Sequence, residues 1–316
     1  MIAVPGIAEI RAAAGRIHGY VRRTPLPAAT PIRERRELAR GLRLKLETLQ
    51  VTGSFKARGA INAVFALPPT QLRRGIVTAS GGNHGLAVAY AGWAAGVPTT
   101  IFLPRSVAAD KIAKLDEWGA RVVMSGEVWD DSNREALHHA ETEGLAYIHP
   151  FADPEVIAGQ GTIALEIFDG APDVDTLLVA IGGGGLISGI AIAAKALKPG
   201  IRIIGVEPVG APTLHDSLAA GGLVELARLD TAAVTLAPRR SEAVNLAIVR
   251  KAVERIVLVD DTEMRTAARW LWHEIGVAAE LSGAAAVAAL LSGRYGVTTG
   301  EQICAIVCGA GTDGIH

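Results

Sequence analysis

The stretch Gly75-Ile76-Val77-Thr78-Ala79-Ser80-Gly81-Gly82-Asn83-His84-Gly85 decides the fold. A short apolar run rich in β-branched residues stops at a cluster of small residues, and an Ala-rich helical stretch follows to about Gly96. That is one strand, one turn and one helix. The rhythm continues outward: residues 97–103 are strand-like, 107–118 helical up to Gly119, 121–124 strand-like, 130–143 helical, and 145–149 a closing strand. Consecutive βα units pack as a parallel sheet. Farther on, a helix near 161–168 leads into strand 176–181, helix 186–197, strand 202–206 and helix 211–219. After an irregular stretch at 221–250 come strand 255–259, helices 262–275 and 284–291, and strand 302–307. The pattern predicts an α/β protein with two open, mostly parallel sheets. The smaller domain is placed at residues 50–148. The larger takes 1–49 and 149–316, with the N-terminal segment crossing back to it.

Composition agrees. Half of the 316 residues are apolar and only 4% aromatic, with 36 glycines, a profile suited to Val/Ile strands alternating with Ala/Leu helices. A net charge of −1 without a basic block gives no argument for nucleic acid or membrane. The longest apolar run, 284–291, is far short of the roughly 20 residues that span a bilayer. The N-terminus lacks a secretory layout, so a cytoplasmic protein is expected, with no room for an extra C-terminal regulatory domain. Cys304 and Cys308 on one strand would lie about 13 Å apart, beyond the roughly 7 Å that a disulfide allows.

In open parallel sheets, ligands gather at the carboxyl ends of strands, where the glycine-rich segments fall. Ser54-Phe55-Lys56-Ala57-Arg58-Gly59-Ala60 puts a lysine after a Gly-Ser turn, at a helix start. Taken alone, Lys56 reads as a solvated surface residue. Phe55 and the small neighbours instead suggest a crowded, partly apolar site that favours a neutral, nucleophilic amine. Ser80-Gly81-Gly82-Asn83-His84-Gly85 is either an ordinary turn with an Asn cap or a helix start whose free N–H groups take a carboxylate or phosphate. Gly182-Gly183-Gly184-Gly185-Leu186 repeats that arrangement and is either a tight turn without a ligand or a loop that lets the backbone approach a phosphate closely. It lacks the Gly-Lys-Ser/Thr of a P-loop and matches dinucleotide spacing only loosely. Cys308, opening into Gly309-Ala310-Gly311, is either a buried inert thiol or one that faces a ligand.

These four segments, in this order, resemble the fold-type II pyridoxal-phosphate enzymes (tryptophan synthase β-like), above all the serine/threonine dehydratase and serine racemase group. Gly159-Gln160-Gly161-Thr162 and Gly205-Val206-Glu207-Pro208 add to the match, which covers nearly the whole chain. The resemblance implies that Lys56 holds pyridoxal 5'-phosphate as a Schiff base and that Phe55 packs by its ring. It implies that Asn83 bonds the ring hydroxyl, Gly182, Gly183, Gly184, Gly185 and Leu186 cradle the phosphate, and Cys308 lies beside the pyridine nitrogen. Ser80, Gly81 and His84 would border the substrate carboxylate. The implied activity is loss of water and ammonia from a small β-hydroxy amino acid, threonine or serine, to give a 2-oxo acid, in a homodimer. Serine racemisation and β-replacement are the alternatives on this scaffold; a non-catalytic ligand-binding protein is a third, against which the intact Lys56 speaks. In the racemases a serine supplies the second proton donor, and Gly81 stands at that place. Some relatives bind a divalent cation through a Glu and a later Asp; Glu207 is present but the second position is Thr213, so no metal is expected.

Overall fold

The computed structural model describes residues 3–33, 37, 40–105, 107 and 109–315. In chain order the elements are α1 (Ile7–Ile17), β1 (Leu42–Leu46), α2 (Lys56–Ala66), α3 (Pro69–Leu72), β2 (Ile76–Ala79) and α4 (Asn83–Ala95). Then come β3 (Thr99–Leu103), α5 (Ala109–Asp116), β4 (Arg121–Met124), α6 (Trp129–Glu143), β5 (Ala146–Tyr147) and α7 (Pro154–Gly170). They are followed by β6 (Thr176–Ala180), α8 (Gly185–Leu197), β7 (Arg202–Pro208), α9 (Thr213–Ala219) and α10 (Ala243–Ala252). The chain closes with β8 (Arg255–Val259), α11 (Asp261–Trp270), α12 (Leu281–Leu291) and β9 (Ile303–Val307).

Among the described residues the strands form two parallel sheets, one of order β4-β3-β2-β5 and one of order β1-β9-β6-β7-β8. The two-sheet α/β architecture is the one expected. β2, β3, β6 and β9 are buried at every position, as parallel strands covered on both faces must be. The largest core surrounds the five-stranded sheet, where Leu44, Leu178, Ile204 and Ile306 meet α7, α8 and α12. No described helix is long and apolar enough to cross a membrane.

Three elements differ from expectation for local reasons. Helix α7 starts at Pro154 rather than near 161, because Asp153 caps it, its side chain accepting from Glu155 N at 2.7 Å. Residues 221–250 hold the start and most of α10, whose capping residue Glu242 makes no side-chain cap bond and so gives little start signal. The helix expected over 262–275 passes after Trp270 into a π-turn, Leu271–Ile275, and ends at left-handed Gly276. Of the helix expected at 107–118, residue 108 lies outside the described residues.

Candidate active site

Four strands end in chemistry-bearing segments: β2 running into Ser80, β5 into His149, β6 into Gly182 and β9 into Cys308. The lysine loop is stitched to the last of these. Phe55 N donates to Cys308 O at 3.2 Å, and Ala310 N donates to Gly53 O at 2.8 Å. Thr52 and Gly53 both take positive φ, 64° and 78°, so the chain turns sharply just before Lys56. The lysine therefore enters α2 from a rigid corner.

Lys56 Nζ is half-buried, donates to Pro150 O at 2.7 Å and stands 5.3 Å from the Phe55 ring centroid. Burial pushes its ammonium down to about 8, against the opposing pull of Cys308 and Glu280. A neutral amine is thus within reach near neutral pH, as a nucleophile or a base requires. Cys308 is buried, its thiol pushed up by burial, and it donates to Ser282 O at 3.5 Å. It is held as a thiol, not a thiolate. Cys304 is also free, buried and pushed up to about 12 by burial.

Asn83 is the first residue of α4, and its side chain does not cap the helix. Its Nδ2 donates to Glu280 Oε1 at 2.8 Å. Glu280 is a site residue that the sequence does not single out. Standing just before an apolar helix, it reads as an ordinary cap. Burial raises its pKa, while bonds from Ser282 and Asn83 pull the other way. His149 is the other residue missed, although its place after β5 is where a parallel sheet puts functional groups.

Gly182–Leu186 turn from β6 into α8. Ser188 N donates to Gly184 O at 2.9 Å, while among the described residues the amides that open α8 before it have no acceptor and are open to an outside one. Gly184 has φ +96°, and a Cβ on Gly183 would lie 2.2 Å from the Phe151 ring. Asn245, fully buried, braces the turn from behind: its Nδ2 donates to Phe151 O and Ser188 Oγ, both at 3.1 Å. Gly183→Ala should push Phe151 away, lowering stability by about 1–3 kcal/mol. It should also weaken cofactor binding; urea unfolding and an absorbance titration check both, and a silent variant would contradict this packing.

The other expected residues lie on the β2–α4 turn. Ser80 Oγ accepts from Gly82 N at 3.3 Å, facing its own loop. A Cβ on Gly81 would meet Val107 Cγ2 at 3.1 Å, so a side chain there needs a small shift of Val107. His84 is buried, and burial together with the Lys56 charge takes its pKa down to about 3, leaving it neutral. Glu207, placed by the resemblance near a cation site, instead caps α9: its carboxylate accepts from Leu214 N and His215 N, both at 2.8 Å. Burial pushes that carboxyl up to about 8.

An aldehyde-bearing aromatic phosphate suits these residues: a lysine with a lowered pKa, helix-start amides without an acceptor among the described residues, and a buried neutral thiol in apolar surroundings. Residues 17–309 match the family described as pyridoxal-phosphate dependent enzyme. The chain belongs to that family and depends on pyridoxal phosphate. It is 39% identical over 297 residues to the L-threonine ammonia-lyase of Geobacter sulfurreducens, covering 94% of this chain and 73% of that protein. It is 38% identical over 289 residues to a serine racemase of Oryza sativa subsp. indica, covering 92% and 84%. The structure of maize serine racemase superposes with a TM-score of 0.92 at 36% identity, covering 98% of this chain and 94% of that one.

Proposed function

We propose that this chain removes water and then ammonia from a small β-hydroxy amino acid, threonine or serine, giving a 2-oxo acid. The observation that carries the reading is Lys56, bonded to Pro150 O with its amine lowered to about 8 by burial, together with a glycine at 81 that offers no side-chain proton donor. Lys56 would be the attachment point, Phe55 would flank the ring and Asn83 would bond its hydroxyl. The amides of Gly182, Gly183, Gly184, Gly185 and Leu186 would hold the phosphate, and Cys308 would face the pyridine nitrogen. Ser80, Gly81 and His84 would border the substrate carboxylate.

Bound pyridoxal phosphate supplies the electron sink that makes the substrate Cα proton acidic. The Lys56 amine takes that proton. Cys308, a thiol and weak hydrogen-bond partner, favours a largely unprotonated ring nitrogen, hence a weaker sink that promotes prompt loss of the β-group. Racemisation would need a donor on the opposite face of Cα. Gly81 has none, and Ser80 Oγ lies against its own loop, accepting from Gly82 N. Residues 50–148 would act as the small domain, with 1–49 and 149–316 as the large one, in a cytoplasmic homodimer.

Holoenzyme offered L-threonine, L-serine, hydroxyaspartate and phenylserine, with 2-oxo acid release as the readout, tests the reading. L-threonine and L-serine should yield 2-oxobutanoate and pyruvate with only trace D-serine. D-serine formed as fast as pyruvate would overturn it.

A further inference from the structure

His149 and Pro150 follow β5, and Pro150 O is the acceptor for Lys56 Nζ, so His149 sits one residue from the reacting amine. Its ring is held in place. It packs edge-on against Phe151, with centroids 4.7 Å apart at 86°, and lies 6.2 Å from Tyr147 at 71°. Its Nδ1 accepts two backbone bonds, from Phe151 N at 3.2 Å and Ala152 N at 2.9 Å. A ring nitrogen that accepts carries no proton, so the neutral imidazole bears its hydrogen on Nε2. Burial and the nearby Lys56 charge lower the pKa to about 4, which keeps the ring neutral. Among the described residues no protein group is bonded to Nε2.

His84 is the opposite case. Thr78 Oγ1 donates its only hydrogen to Ile148 O at 2.9 Å. At His84 Nε2, therefore, Thr78 Oγ1 (3.1 Å) and Ile148 O (3.0 Å) are both acceptors, and the His84 proton is spent on them. Of the two imidazoles that feel Lys56, only His149 keeps a ring N–H to offer.

We infer that His149 donates its Nε2–H to the β-oxygen of the substrate and stabilises the negative charge that builds there as the Cβ–O bond breaks. The inference rests on the dehydratase reading above. The electron pair of the Cα–H bond becomes the second Cα–Cβ bond, and the Cβ–O pair leaves on oxygen. The proton collected by Lys56 balances the one that the departing hydroxide needs to become water. His149 keeps its own proton throughout. A neutral imidazole is suited to that: it is a strong enough donor to steady an oxyanion and too weak an acid to be lost.

The test compares two leaving groups on holoenzyme: L-serine, whose hydroxide needs a donor, and β-chloro-L-alanine, whose chloride does not. In His149→Phe, kcat with L-serine should fall about 100-fold while kcat with β-chloro-L-alanine falls no more than about threefold. His149→Gln, which keeps an N–H donor, should recover part of the L-serine rate. Equal losses on both substrates would mean a structural role and overturn the inference. A second measurement does not use turnover: 15N shifts of His149 should show a bare Nδ1 and a protonated Nε2 at pH 7. The reverse tautomer, or an imidazolium, would overturn it. Wild-type enzyme that eliminates chloride but releases no 2-oxo acid from any hydroxy amino acid would sink the dehydratase reading and this role with it. That failure is recognised by its appearance in the unmodified protein.

Discussion

Lys56→Ala should abolish turnover, with a loss of about 10,000-fold or more, because one side chain serves as both attachment point and base. Borohydride should no longer fix the cofactor to the chain. In the wild type the label should sit on the peptide containing Lys56; label on Lys111 or Lys195 would overturn the assignment. The pH dependence follows from the burial that lowers the amine to about 8. Below that value the lysine is an ammonium and cannot attack an aldehyde; above it the amine is free. Capture of the cofactor by apoprotein should therefore rise as pH climbs through 8 and then level. An ordinary lysine would go on rising for about two further pH units. Stability should change little, by roughly 1 kcal/mol or less, because only the bond to Pro150 O is lost and an awkwardly buried cation goes with it. A variant that unfolds could not be read as a catalytic loss, so the two measurements belong together.

Much of this was legible in the sequence because strands, turns and helices announce themselves locally. Gly75–Gly85 reads as strand, turn and helix from β-branching, glycine and alanine alone, and β2 and α4 fall there. Glycine loops at strand ends marked the region, and Lys56, His84 and Cys308 fall close enough there to act on one another's charge. What escaped reading depends on contacts far apart along the chain. Glu280 reaches Asn83 across 197 positions, and nothing beside Glu280 in sequence marks it as more than a helix cap. The His149 tautomer depends on backbone amides two and three residues ahead, a turn geometry that composition does not encode. β1 is five residues between loops, and its place at the edge of the larger sheet comes from pairing with β9, some 260 positions later. The role of Arg58 also escaped, although it lies in the same segment as Lys56.

Arg58→Leu should be the most damaging substitution for stability. The guanidinium is fully buried, two residues past Lys56. Its Nε and Nη2 donate to the two oxygens of Glu47, each at 2.8 Å, and Nη1 donates to Glu166 Oε1 at 2.6 Å. Lys45, also buried, bonds to Glu166 and to Thr24 O, so two cations and two carboxylates close on one another. The cluster ties β1 and the turn after it to α2 and α7, and so fixes the helix that begins at Lys56. Leucine would leave two carboxylates facing a single lysine. Breaking a buried pair in this way costs about 3–5 kcal/mol. Lysine at 58 would restore the charge but not the fork that spans both carboxylates, and should recover only part of the loss. Burial by itself would raise Glu166, and Arg58 and Lys45 overcome it, holding that carboxyl below its usual range. A carboxylate with a lowered folded-state pKa stabilises the protein above its unfolded value and loses that contribution as pH falls through the lowered one. Without Arg58 only Lys45 opposes the burial that raises Glu166, so that carboxyl moves upward and protonation relieves it. The gap between wild type and Arg58→Leu should therefore be widest near neutral pH and narrow toward pH 5. Urea unfolding at several pH values measures it. A gap below about 1 kcal/mol, or one indifferent to pH, would mean that the cluster does not hold the lysine helix.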